Sequence, residues 1–215
     1  MEWHVPLVGA AWDGAEDLLA LPWEDAGPPR PLVRSDGGGP PSQATTARLC
    51  HTRRSLYVRF ECDDADIWGT YTKRDDPLWR EEAVEVFLAE GEADPAEYHE
   101  FEVSPNGVLF DALVRNPTSR REDLVADTRW DCPGLRWCAR VRREEARWLA
   151  ALAIPWSGIG ASGAPRVCRA NLYRIDRPRA GDAEFSAWSP TFARPADFHR
   201  PSRFGRLVLL PEGSS

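Results

Sequence analysis

Trp79 and Glu85 stand in one stretch, WREEAVEVFL, and together offer the contacts that a polyhydroxylated ring needs. An indole gives a flat apolar face with one N–H donor, and a carboxylate accepts from two neighbouring hydroxyls. A plainer reading stays open, with Glu85 a solvated strand charge and Trp79 ordinary packing. Glu100 and Glu102 in YHEFEV add carboxylates a short way downstream. The acidic run before Trp79 offers Asp63, Asp64, Asp66, Asp75 and Asp76 as oxygen ligands for a hard cation such as Ca2+, although not in EF-hand order. A solvated acidic loop would look the same. Glu81, Glu82, Glu85, Glu100 and Glu102 could also supply the paired acids of glycoside hydrolysis, but their abundance singles out no pair.

Other chemistries find little support. His4, His51, His99 and His199 share no ligand spacing with one another or with the cysteines, which argues against zinc. No GxSxG elbow is present. Gly158 to Gly163 matches GxGxxG, but Pro165 and the alternating VCRANLYRI continue as a strand rather than as the helix a dinucleotide site requires. The formal charge of −7 and a pI near 5.2 disfavour nucleic acid and anionic membranes as partners.

The elements that must position these residues read as strands. Alternation puts Val84, Val86 and Leu88 on one face, and Ala83, Glu85 and Phe87 on the other. ATTARLCH and LYVRFEC flank the turn TRRS, with Leu56, Val58 and Phe60 on one side. Pro105-Asn106-Gly107 is the strongest hairpin signal. A two-residue Asn106-Gly107 turn pairs Val103 with Phe110 and Glu102 with Asp111. That register points His99, Phe101, Val103, Phe110, Ala112 and Val114 to the core, and Glu100, Glu102 and Asp111 outward. Opposed like charges destabilise a ladder, so Glu102 and Asp111 want a cation, an arginine, a hydroxylated ligand or water between them. LRWCARVR, ARWLAALAIPW, VCRANLYRID and FGRLVLL complete the series. Many strands with no long amphipathic helix predict an all-β, two-sheet antiparallel sandwich.

At 215 residues the chain is expected to be a single domain, with residues 1–43 an irregular Pro- and Gly-rich lead-in and 44–211 the sandwich core. The lead-in admits at most one short helix near Ala15–Ala20. The N-terminus shows no signal-peptide pattern and no run reaches the length of a membrane span, so a cytoplasmic monomer is expected; secretion would require a longer N-terminus. Five cysteines without a CxxC read as reduced, buried thiols, with Cys132 and Cys138 near enough in sequence to pair across a Pro-Gly turn. Ten tryptophans raise the expectation of a stacking surface.

RSLYVRFECDDADI, DDPLWREEAVEVFL, YHEFEVSPNGVLFDA, WLAALAIPW, ANLYRID and FSAWSPTFARPADFHRPSRFG, in that order, resemble the family 9 carbohydrate-binding modules over roughly Leu49 to Leu210. The resemblance implies a β-sandwich that binds sugar without bond chemistry, a terminal sugar held between two tryptophans, and structural calcium. Trp79 matches the first tryptophan, Glu85 the strand carboxylate, and Trp188 the second tryptophan. Glu100, Glu102, Asn171 and Arg174 join them as candidate ligand-binding residues, and Asp63, Asp64, Asp66 and Asp111 are the candidate metal ligands. Ala151 departs from the glutamate that many members carry before Ile-Pro-Trp, and no amide residue directly precedes Trp188. Distant sandwiches hold haem through an axial methionine, which Met1 alone does not supply. A glycosidase, an accessory domain of sugar metabolism and a haem protein are therefore the alternatives to a sugar-binding module.

Overall fold

The computed structural model describes residues 1–212. Its strands are β1 (Glu2–Val5), β2 (Arg30–Pro31), β3 (Val33–Arg34), β4 (Thr45–His51), β5 (Ser55–Asp63), β6 (Ala83–Glu90) and β7 (Glu97–Val103). They continue as β8 (Leu109–Arg115), β9 (Val125–Asp127), β10 (Arg136–Arg142), β11 (Arg147–Pro155), β12 (Val167–Asp176), β13 (Glu184–Ala187) and β14 (Gly205–Leu209). Helix among the described residues is limited to short 3-10 segments, and none is long and apolar enough to cross a membrane. One sheet runs β1-β14-β12-β6-β7-β8-β9, with β13 on β12 and β3 on β13; the second runs β10-β11-β5-β4-β2. Only β1 with β14 is parallel among these strand pairs. The expected all-β sandwich is the observed fold.

Period-2 alternation builds the core between the sheets. Val84, Val86, Leu88, Phe101, Val103 and Leu172 meet Leu56, Val58, Phe60, Leu152 and Ile154 in one buried cluster. Both outer faces are also covered, so the strands carry apolar residues on each side. Trp12, Leu18, Trp23 and Ala26 cap the second sheet over Tyr57, Ala151 and Ala153. Phe198 and Phe204 cap the first sheet over Phe87, Tyr98 and Tyr173. The lead-in is therefore more ordered than its Pro and Gly content implies: it contains β1, β2 and β3 and buries three indoles, Trp3, Trp12 and Trp23. The cysteines are free thiols, including Cys132 and Cys138.

The β7–β8 register differs from expectation by one residue. Ser104 accepts from the Gly107 N–H at 2.9 Å and its own N–H donates to Val108 at 3.0 Å, with Gly107 at φ 82°. Pro105, Asn106 and Gly107 thus form a three-residue loop with glycine in the left-handed position. Val103 pairs with Leu109, Glu102 with Phe110, and Phe101 with Asp111. A one-residue slip exchanges faces along a whole strand. Phe110, Ala112 and Val114 therefore lie on the outer face, beside Glu100 and Glu102, while Asp111 turns inward.

Candidate functional site

Glu85 of β6 pairs directly with Glu102 of β7, and Phe87 with Glu100, so the three glutamates share the outer face of the first sheet. Their carboxylates lie within 4.8 Å of one another. All three are buried, yet they line a cavity of about 660 Å³. Burial raises each carboxyl above the usual range, most of all Glu85 and Glu102, where neighbouring carboxylates add to the effect; Glu100 reaches about 7. Among the described residues, neither oxygen of Glu102 has a hydrogen-bond partner.

Trp79 forms the apolar lip. It sits in a 3-10 turn, Leu78–Arg80, anchored by the fully buried Leu78. Its ring meets Phe110 edge-on at 5.1 Å and 75° and is still 41% exposed, which leaves an open face at the cavity. The opposite wall comes from 194–200, with Phe185, Arg121 and Arg177 at the sides. Sequence reasoning passed over these wall residues. Phe185 and His199 both lie within the quoted tail motif, and Phe185 pairs with Ile175, whose face is that of Glu85.

His199 is fixed by Tyr98, whose hydroxyl lies 2.8 Å from Nδ1. Burial, then Arg121, lower its pKa to about 4, against a smaller opposing effect of Asp197. The folded protein thus keeps this ring neutral, while the unfolded chain takes up a proton below about 6.5. Stability should fall as pH drops from about 6.5 towards 4, by on the order of 2 kcal/mol from this group. The difference between the thermal melts of His199→Gln and the parent, followed across that window, measures it; parallel curves would refute it.

Three of the other expected site residues serve the scaffold. Trp188 is 2% exposed and packs in the inter-sheet core against Trp3, with ring centroids 5.5 Å apart. Parity explains this: Phe185 and Ala187 of β13 face outward, so Trp188 turns inward, away from Trp79 and Glu85. The two-tryptophan clamp is therefore not formed. Asn171 shares the outer face, but its amide is consumed by the Tyr173 hydroxyl at 2.8 Å and by the Ser189 carbonyl and N–H at 2.7 and 2.9 Å. Arg174 points inward and is buried. Its guanidinium meets Asp64 at 3.1 Å, Glu82 and Asp176 at 3.6 Å, and the Asp63 carbonyl at 2.7 Å.

The expected metal ligands are likewise divided among arginines. Asp63 pairs with Arg147 at 2.7 Å, Asp66 with Arg179 at 2.6 Å, and Asp64 with Arg174. Asp111 is held by Arg74, with both oxygens within 2.9 Å, and it also accepts the Cys132 N–H. The anticipated opposition of Glu102 and Asp111 vanishes with the register shift. Asp63, Asp64, Asp66 and Asp111 therefore do not converge on one ion.

The fold has counterparts among solved structures. In the solved structures, a Bacteroides uniformis protein described as a candidate carbohydrate-binding protein superposes with TM-score 0.80 over 97% of this chain and 99% of its own, at 19% identity. A family 9 carbohydrate-binding module from Caldicellulosiruptor kristjanssonii, solved with glucose, superposes with TM-score 0.64 over 100% of this chain and 98% of its own, at 13% identity. An extracellular protein of Arthroderma benhamiae is 41% identical over 183 residues, 79% of this chain and 80% of its own. The profile of carbohydrate-binding family 9 matches residues 41–209. The chain belongs to carbohydrate-binding family 9, a family of non-catalytic binding modules.

Proposed function

We propose that the protein binds one terminal sugar residue in the cavity beside Trp79, without bond chemistry of its own. The observation that carries this is the pairing of an open indole face with three carboxylates that have no ion-pair partner among the described residues. The indole suits the apolar C–H face of a pyranose, and carboxylates suit its hydroxyl donors. With Trp188 in the core, stacking comes from one side only. Phe198 of the opposite wall and Phe185 at the side bound the slot instead of a second indole. One aromatic face adds about 0.5–1.5 kcal/mol beyond area burial, so a Kd between roughly micromolar and millimolar is expected.

A glycan array, followed by calorimetry on the best ligand, tests the reading. Trp79→Ala should reduce affinity at least about tenfold, the equivalent of about 1.4 kcal/mol, with melting near that of the parent. Glu85→Gln should weaken binding comparably, since it keeps the shape and removes a charge-assisted acceptor. An array with no hits, or variants that bind like the parent, would refute the cavity as the sugar site.

A further inference from the structure

The described residues hold three acidic triads, and two of them are built around a guanidinium. Arg174 sits among Asp64, Glu82 and Asp176, and Arg74 among Asp75, Asp111 and Asp131. The third, Glu85, Glu100 and Glu102, has no cationic nitrogen within ion-pair distance among the described residues. Arg121, at the cavity wall, is turned to Asp197 at 3.3 Å. Independently of the clustering, Glu102 is 1% exposed and neither of its oxygens is hydrogen-bonded to any of the described residues, although both belong to a side chain that lines the cavity. Buried anions without a partner are strongly unfavourable, and the first two triads show how this fold compensates them from within. The third has no such guanidinium, so without a cation from the cavity its carboxyls must hold protons, as their raised pKa values require.

We propose that Glu85, Glu100 and Glu102 bind a divalent, oxygen-seeking metal ion of the calcium class at the floor of the cavity. Calcium takes six to eight oxygens, and three carboxylates leave some of those positions for water or hydroxyls. The residues stand on adjacent, hydrogen-bonded strands, so their spacing is set by the sheet and not by a loop. Resting on the sugar-binding reading, the metal then presents its open positions to vicinal hydroxyls of the ring, beside the Trp79 face. The ligand would be recognised by a pair of hydroxyls on the metal together with an apolar face on the indole.

The full chain, stripped with chelator, is titrated with calcium, magnesium and manganese chlorides while melting temperature is read. Calcium at millimolar concentration should raise it by several degrees, as mass action requires of a ligand of the native state. Glu102→Gln and Glu85→Gln should each abolish the shift, whereas Asp131→Asn, in the Arg74 triad, should retain it. Sugar affinity should fall at least tenfold in chelator and return with calcium. An unchanged melt for all three metals, or a shift that survives in both glutamine variants, overturns the metal site. Stabilisation of the metal-free protein by glucosamine and not by glucose also overturns it, by giving the triad to a ligand ammonium. Sugar binding indifferent to chelator overturns the metal and leaves the sugar reading standing. A calcium shift with no sugar bound by any form supports the metal and overturns the sugar reading.

Discussion

Arg174→Met should destabilise the protein by about 3–5 kcal/mol, because it strands buried carboxylates that one guanidinium now neutralises. For a chain of this size that corresponds to a fall in melting temperature of roughly 10 °C or more. Burial and like charges already raise the Glu82 carboxyl to about 9, and burial raises Asp176 despite Arg174. Removing the cation raises both further, so the variant folds best when they are protonated. A carboxyl whose folded pKa exceeds its unfolded value loses stability as pH rises through the unfolded value, so the deficit should be larger at pH 8 than at pH 5. Adding Glu82→Gln should restore part of the loss. Denaturant unfolding of the two variants at both pH values checks this, and a deficit independent of pH would disprove the account.

Trp188→Ala should cost about 3–5 kcal/mol, the range for deleting a buried aromatic side chain. A surface clamp residue would behave oppositely, losing ligand and keeping stability. Its neighbour supplies a second check. A Cβ on Gly205 would lie 2.4 Å from the Trp188 ring, so Gly205→Ala should itself destabilise by about 1–3 kcal/mol through overpacking. In the Trp188→Ala background the same change should cost much less, because the clashing ring is gone. Additive effects in that cycle would place the indole elsewhere.

Much of this was legible in the sequence, and the failures share a cause. Strand alternation placed Val84, Val86 and Leu88 opposite Glu85, and Phe101 and Val103 opposite Glu100 and Glu102, as observed. The acidic face of the site follows from that parity alone. Parity beyond a turn depends on how many residues the turn contains, and Asn-Gly serves two-residue and three-residue loops alike. Phe110 and Asp111 were therefore assigned to exchanged faces. Trp188 failed for a related reason: its side is set by the antiparallel pairing of β13 with β12, a long-range register that no local motif displays. Arg174 and Asp111 were misread because an arginine distant in sequence from an aspartate gives no sign of their meeting. The covering of both outer faces also weakened the contrast between buried and exposed positions, since Phe87 and Tyr173 are as buried as Val86.

The parallel pairing of β1 with β14 also fixes how the molecule bears load. Glu2 lies opposite Arg206 and Val5 opposite Leu209, so the two strands point the same way at the sheet edge. A pull at residue 1 against residue 212 therefore runs along this ladder, sliding one strand past the other. Its hydrogen bonds are strained together instead of opening one after another, as they would if a hairpin were peeled from its end. Tension on a tethered chain is thus met first in shear, at an edge that β12 separates from the β6–β7 pair carrying the glutamates.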